Sequence, residues 1–255
     1  MSWQTPSIFP ILQTNQVHVW RASLKQNVKE LAELLNLLDI QEKNRAAKFI
    51  SEKAKNNFIA ARGILRSLLA KYLHVKPQDL VFKQGQYGKL YLDSSILQFN
   101  ISHSNDLALF IFALHQPVGI DVEFIRNDFD FVPIAQRFFS KKETADLLTL
   151  PPNQQLHAFF NCWSRKEAFI KAIGKGIFFA LDEFSAEVSN KQEGRLQLQI
   201  TDPEFNAKDW SLEALNPADS YVGAFATSWQ KYEIGFYECN KFLTDQKKPL
   251  IGKTN

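Results

Sequence analysis

Hydrophobic residues change their period several times along this 255-residue chain, and each change marks an element. Val17-His18-Val19-Trp20 alternates as a short first strand. From Val28 the apolar positions 28, 31, 34, 35 and 38 recur at helical spacing. A longer helix is predicted over about 51–73, with Ser51 as its cap and Phe58, Ile64, Leu65, Leu68, Leu69 and Tyr72 as its buried stripe. Pro77 closes that region. Strand-like segments at 80–83 and 89–92 flank the turn Gly85-Gln86-Tyr87-Gly88. Phe99-Asn100-Ile101-Ser102 and the run Leu107–Leu114 read as a hairpin around Ser104-Asn105-Asp106. A further strand, Gly119 to Phe124, follows Pro117.

The second half repeats this plan without a visible residue-level repeat. Ser140 and Glu143 stand three apart, as in a capping box. A helix is predicted over about 153–173, stopped by Gly174 and Gly176. Strands return at 183–189, 195–200 and 221–228. Strand, helices and strands, then helices and strands again, is the order of an α+β chain, not of a doubly wound sheet.

Composition narrows the classes. Apolar residues make up 45% of the chain and charged residues 22%, which supports a packed core and excludes a disordered or fibrous protein. With 10 glycines, a glycine-rich phosphate loop is not expected. Gly252-Lys253-Thr254 imitates the end of one, but Lys247 stands where its first glycine belongs. Cys162 and Cys239 offer neither a disulfide framework nor metal-ligand spacing, which fits a reducing, cytoplasmic setting. The longest apolar run has eight residues, far short of a membrane span, and the N-terminus lacks the pattern of a signal peptide.

The net charge of +3 is too small to argue for nucleic acid, and its distribution is more informative. Residues 42–71 carry eight basic side chains against two acidic ones, a net +6, so the rest of the chain sums to −3. Such a patch suits an anionic ligand or an acidic partner, and equally a solvated basic helix face.

Three short segments could carry chemistry. Asp121 and Glu123 lie two apart on a predicted strand and so share a face. Adjacent carboxylates repel unless a cation lies between them, and Mg²⁺ prefers oxygen donors; solvated acids on an edge strand are the plainer alternative. On the predicted helix Glu167 and Lys171 share a face at i and i+4, as a surface ion pair or as a metal ligand and a phosphate contact, while Trp163 and Phe169 read as core. Ser102 and His103, at a strand end, can both donate to a phosphate oxygen, although a satisfied surface histidine is the plainer reading of that segment taken alone.

Together these segments form a resemblance. Phe-Asn-Ile-Ser-His-Ser (99–104), Gly-Ile-Asp-Val-Glu (119–123), Arg-Phe-Phe-Ser (137–140) and Trp-Ser-Arg-Lys-Glu-Ala-Phe-Ile-Lys-Ala-Ile-Gly-Lys-Gly (163–176) resemble, in order and spacing, the signature of the 4′-phosphopantetheinyl transferases of the broad-range surfactin-synthetase type. The similarity runs over roughly residues 40–190. It implies two similar α+β lobes in one monomeric chain, read as 1–118 and 119–233, with a polar tail at 234–255. It further implies Mg²⁺-dependent transfer of the phosphopantetheine arm of coenzyme A to a serine of an apo acyl or peptidyl carrier protein, with adenosine 3′,5′-bisphosphate released.

The resemblance also implies roles. Asp121, Glu123 and Glu167 would hold Mg²⁺, while Lys171 and His103 would donate to phosphate oxygens with Ser102 nearby. Glu167, or a metal-ordered water, would be the general base, and Lys166 would assist or lie at the rim. Arg45 and Arg62 match the positions that bind the 3′-phosphate, with Arg66 and Lys48 as weaker matches. Lys89 matches a cofactor-contacting lysine, although Leu90 follows it where relatives carry Pro. Two other functions remain open: a metal-dependent phosphohydrolase acting on nucleotide-like substrates, and a non-catalytic nucleotide-binding relative.

Overall fold

The computed structural model describes residues 1–176, 181–200 and 204–239. The first half contains β1 (Gln16–Ser23), α1 (Val28–Leu37), α2 (Ile40–Ala47), α3 (Glu52–Leu73), β2 (Phe82–Gln84), β3 (Leu90–Leu92), β4 (Leu97–Ser104) and β5 (Leu107–Leu114). The second contains β6 (Val118–Phe124), α4 (Val132–Phe138), α5 (Lys141–Thr149), α6 (Pro152–Ile173), β7 (Phe184–Ala186), β8 (Gly194–Leu196), β9 (Leu198–Ile200), β10 (Ser211–Leu215), β11 (Tyr221–Thr227) and β12 (Glu233–Glu238).

Two four-stranded sheets organise the chain, in the orders β12-β1-β5-β4 and β6-β11-β10-β8. Alternation along the strands gives each sheet two apolar faces. In the first, Trp20, Ala22, Phe110 and Phe112 pack with Ile64, Leu65 and Leu68 of α3. Val17, Val19, Leu109 and Ile111, on the opposite face, share a core with Val118, Ile120, Val122 and Phe225 of the second sheet. The outer face of the second sheet, including Ala224 and Ala226, packs with Ala168, Phe169 and Ile170 of α6. Each sheet therefore has its own long helix, and the two sheets meet over a common interior.

The halves match more closely than their sequences. Asp39 caps α2 in a capping box closed by Glu42, and Ser140 caps α5 in one closed by Glu143. Each boxing glutamate also binds a fully buried cation of the long helix. Arg66 Nε donates to Glu42 at 2.6 Å, and Lys166 Nζ donates to both oxygens of Glu143 at 2.8 Å. Arg66 and Lys166 are each the fifteenth residue of a 22-residue helix. The same device thus docks a short helix on a long one in both halves.

Several expectations need correction. Helices α2 and α4 and strands β10 and β12 were not expected. α2 buries only Glu42 and Ala46, too little for an apolar stripe. Residues 234–238, expected in a tail, run parallel to β1 and complete the first sheet. The remainder of that expected tail, from 240, lies outside the described residues, as does the Gly252-Lys253-Thr254 segment. The segment expected as one strand over 195–200 divides between β8, which pairs with β10, and β9, which pairs with β7.

Candidate active site

The site lies where the edge strands of the two sheets meet. β4 ends one sheet and β6 the other, and three alternate side chains of β4 reach across to β6. Asn100 Oδ1 accepts from the Ile120 amide at 3.0 Å. Ser102 Oγ donates to Asp121 Oδ1 at 2.8 Å. Ser104 Oγ donates to Glu123 Oε2 and accepts from the Phe124 amide, both at 3.1 Å. Positions 100, 102 and 104 face the same way because successive strand residues alternate. This polar ladder in an apolar strand was legible as a period of two, but its partner strand was not.

Helix α6 lies over β6 and brings two more groups. Lys171 Nζ donates to Asp121 Oδ1 at 2.6 Å and to Ser102 Oγ at 3.0 Å, closing a triangle with Ser102 and Asp121. The other Asp121 oxygen, Oδ2, is buried without a hydrogen-bond partner, and so is Glu167 Oε1. Burial and the Asp121 carboxylate raise Glu167 above the ordinary carboxylate range, against the opposing pull of Lys171. Burial and Asp121 push Glu123 up to about 7. Burial by itself would lower Lys171, but Asp121, with Glu167 and Glu123 adding, raises it above the usual range. The three acids and the lysine thus form one electrostatic unit, in which three carboxyl groups face a single ammonium.

A cleft of about 390 Å³ opens beside this unit. Arg45 and Arg62 line it together with Tyr87, Lys89, Glu167 and Lys171. Both guanidinium groups stand over Phe58, at 5.3 and 5.7 Å from its ring centre. Arg62 Nη1 is buried without a hydrogen-bond partner. Burial lowers the Arg62 pKa, with Arg45 and Arg66 adding and Glu42 opposing. Anion-binding groups therefore line the same cleft as Glu167 and Lys171.

Other expected residues stand elsewhere. Ser102 faces Asp121 and not the cleft. His103, on the opposite strand face, is exposed. Desolvation by its surroundings, with the Lys171 and Arg62 cations adding, lowers its pKa below the ordinary histidine value. Arg66 is fully buried and donates to Asp39, Glu42, Pro77 O and Leu80 O; it is structural. Lys48 is exposed and does not line the cleft. Lys166 does not line the cleft, because the Glu143 carboxylate and Phe184 O hold its ammonium in the interior. Leu90 pairs with Gln84 in the β2–β3 ladder, so the hairpin forms without the proline of the relatives.

Comparison with known proteins gives two family matches that meet near the start of β6. Residues 19–113 match the model of the 4′-phosphopantetheinyl transferase N-terminal region, and residues 117–226 match that of the 4′-phosphopantetheinyl transferase superfamily. The 4′-phosphopantetheinyl transferase HetI of Nostoc sp. is 37% identical over 226 residues, covering 86% of this chain and 92% of that protein. The 4′-phosphopantetheinyl transferase gsp of Aneurinibacillus migulanus is 30% identical over 80% of this chain and 85% of that one. The 4′-phosphopantetheinyl transferase Sfp of Bacillus subtilis is 30% identical over 68% of this chain and 76% of that one.

Proposed function

Because this chain belongs to the 4′-phosphopantetheinyl transferase superfamily, we propose that its cleft receives coenzyme A and that the acid-lysine unit beside it carries out the transfer. The enzyme moves the phosphopantetheine arm to a serine hydroxyl of an apo acyl or peptidyl carrier protein and releases adenosine 3′,5′-bisphosphate. The observation that carries the site assignment is a single cleft lined by Arg45 and Arg62 and by Glu167 and Lys171.

In this reading Arg45 and Arg62 bind the 3′-phosphate, and the unpartnered Arg62 Nη1 is a donor that such an oxygen would satisfy. Lys171 donates to a pyrophosphate oxygen and stabilises charge as the bond to the leaving group breaks. His103, exposed at the end of β4, supplies a ring N–H to the same group. Ser102 acts through Asp121, which it holds in place. Glu167, or a water ordered at the site, accepts the proton of the attacking serine; its raised affinity for a proton suits Glu167 to that role.

Mg²⁺ fits the chemistry of the donors. Asp121, Glu123 and Glu167 are hard oxygen ligands, and two of them bury an oxygen with no partner. As they stand, no group of three acidic, histidine or cysteine side chains among the described residues is gathered closely enough to hold an ion. Lys171 instead occupies Asp121 Oδ1. Bound Mg²⁺ would neutralise the pyrophosphate leaving group.

The lobe limits 1–118 and 119–233, as units of the reaction, belong to the same reading, as do a monomeric state and a cytoplasmic setting. No helix among the described residues is long and apolar enough to cross a membrane.

The test incubates the protein with coenzyme A, Mg²⁺ and several apo carrier proteins, and weighs the carriers by mass spectrometry. A phosphopantetheine adduct on the carrier serine is expected. Free phosphopantetheine with no carrier adduct would instead indicate a phosphohydrolase.

A further inference from the structure

Lys89 lines the coenzyme A cleft, but two of the three N–H donors of its ammonium are taken by backbone carbonyls. Its Nζ donates to Val118 O at 2.9 Å and to Ala172 O at 3.0 Å. Val118 opens β6, three residues before Asp121, and Ala172 lies in the last turn of α6, next to Lys171. The lysine itself belongs to the first half, at the foot of the β2–β3 hairpin. There Gly85 N donates to Lys89 O at 2.8 Å and Gly88 N to Gly85 O at 2.9 Å. One side chain thus ties the hairpin of one half to the strand and the helix that carry the acids and Lys171 in the other.

Three further observations agree. Ala172 O is one of the terminal helix carbonyls left without an intrahelical partner, which an ammonium satisfies well. Among the described residues no carboxylate pairs with Lys89, and burial pulls its pKa down to about 8. Gly174, the left-handed cap of α6, would place a Cβ 3.6 Å from Lys89 Cδ, so the helix end packs on the lysine stem as well as on its tip. Lys89 also lines a second cavity of about 270 Å³, and so forms part of the wall between two spaces.

We propose that Lys89 is a positioning residue: it latches the end of α6 to the start of β6, and so sets the spacing of Glu167 and Lys171 from Asp121. This assignment rests on the proposed transfer reaction for its functional consequence, but its structural part does not. It differs from the cofactor-contacting role that the resemblance implies for the same lysine.

The experiment compares wild type, Lys89→Met and Lys89→Gln with Arg62→Gln. In ligand-free protein, hydrogen exchange of amides in the last turn of α6 and at the start of β6 is followed by mass spectrometry. With coenzyme A, binding is measured by calorimetry at several salt concentrations, and kcat is measured with an apo carrier protein. A latch predicts faster exchange in both Lys89 variants and kcat lower by about tenfold or more. It also predicts a salt dependence of coenzyme A binding equal to that of wild type. Arg62→Gln, which removes a phosphate contact, should show the shallower salt dependence.

Wild-type exchange in Lys89→Met, or a shallow salt dependence with weaker coenzyme A binding and unchanged kcat, overturns the assignment. If Lys89→Met does not fold, Lys89→Gln, which keeps a neutral N–H donor group on a shorter stem, decides on the same readings. A wild-type protein that transfers no arm overturns the proposed function, and the exchange measurement still decides the latch.

Discussion

The backbone of Gly119 on β6 lies directly against that of Ala168 on α6. A Cβ at position 119 would fall within the van der Waals envelope of Ala168 O and Ala172 N, and 2.7 Å from the Lys171 carbonyl carbon. The three atoms nearest that position are all backbone, so none of them can turn aside as a side chain would. Gly119 thus permits the approach that brings Glu167 and Lys171 to Asp121.

Gly119→Ala should therefore push α6 away from β6. Overpacking of this kind costs about 1–3 kcal/mol, and more where backbone must move. A lowered denaturation midpoint is expected, with a fall in kcat that persists at temperatures where the variant is fully folded. Wild-type kcat in a folded Gly119→Ala would show that the helix-strand distance is not critical.

Lys166→Met should unfold the protein more readily without touching the chemistry. It leaves the buried Glu143 carboxylate without its counter-ion, and breaking such a pair costs about 3–5 kcal/mol. Denaturant titration gives the stability. The folded fraction should transfer the arm at close to the wild-type rate. A variant with normal stability and a large loss of kcat would return Lys166 to the active site.

Ser104→Ala should weaken metal binding. The Ser104 hydroxyl holds Glu123 Oε2 while itself fixed by the Phe124 amide. Loss of such a supporting hydrogen bond typically weakens a metal site about 10–100-fold. The concentration of Mg²⁺ giving half-maximal transfer should rise, and Ser104→Thr should largely restore it. An unchanged Mg²⁺ requirement in Ser104→Ala would remove Ser104 from the support of the site.

His18 makes stability fall in acid. It is buried, its Nδ1 lies 2.8 Å from the Tyr72 hydroxyl, and burial lowers its pKa from 6.5 to about 4. The Tyr72 oxygen also accepts from Trp20 Nε1, so the ring belongs to a buried hydrogen-bonded cluster in which a charge would be poorly solvated. A depressed folded-state pKa gives stability that is present above the unfolded value and is lost as pH falls through the folded one. Between pH 6.5 and 4 the wild type should lose about 3 kcal/mol from this group. A His18→Gln variant should lack that component. Equal acid sensitivity in both proteins would assign the loss elsewhere.

The long elements and the chemical residue types were readable locally. α3 and α6 announce themselves by period and by their caps, and β5 by an uninterrupted apolar run. The acids, Lys171 and the two arginines were legible as residue types in a familiar order. What each one touches was not. Arg62 and Arg66 are one helical turn apart in a single basic segment, yet one lines the cleft and the other is sealed among Asp39, Glu42 and two carbonyls. Lys166 and Lys171 are five residues apart on one helix and face different acids, Glu143 and Asp121.

By itself the sequence determined the two-part α+β plan, the long helices and the reactive side chains, because period, caps and residue chemistry act over a few neighbouring positions. Tertiary structure decided the rest. It returned β12 to the first sheet beside β1, set β4 against β6 so that Ser102 and Ser104 meet Asp121 and Glu123, and turned Lys89 to Val118 and Ala172. Those pairings join residues 19 to 217 positions apart, across two sheets. No local pattern encodes which buried donor will find which acceptor, because that choice is made by how the two halves pack.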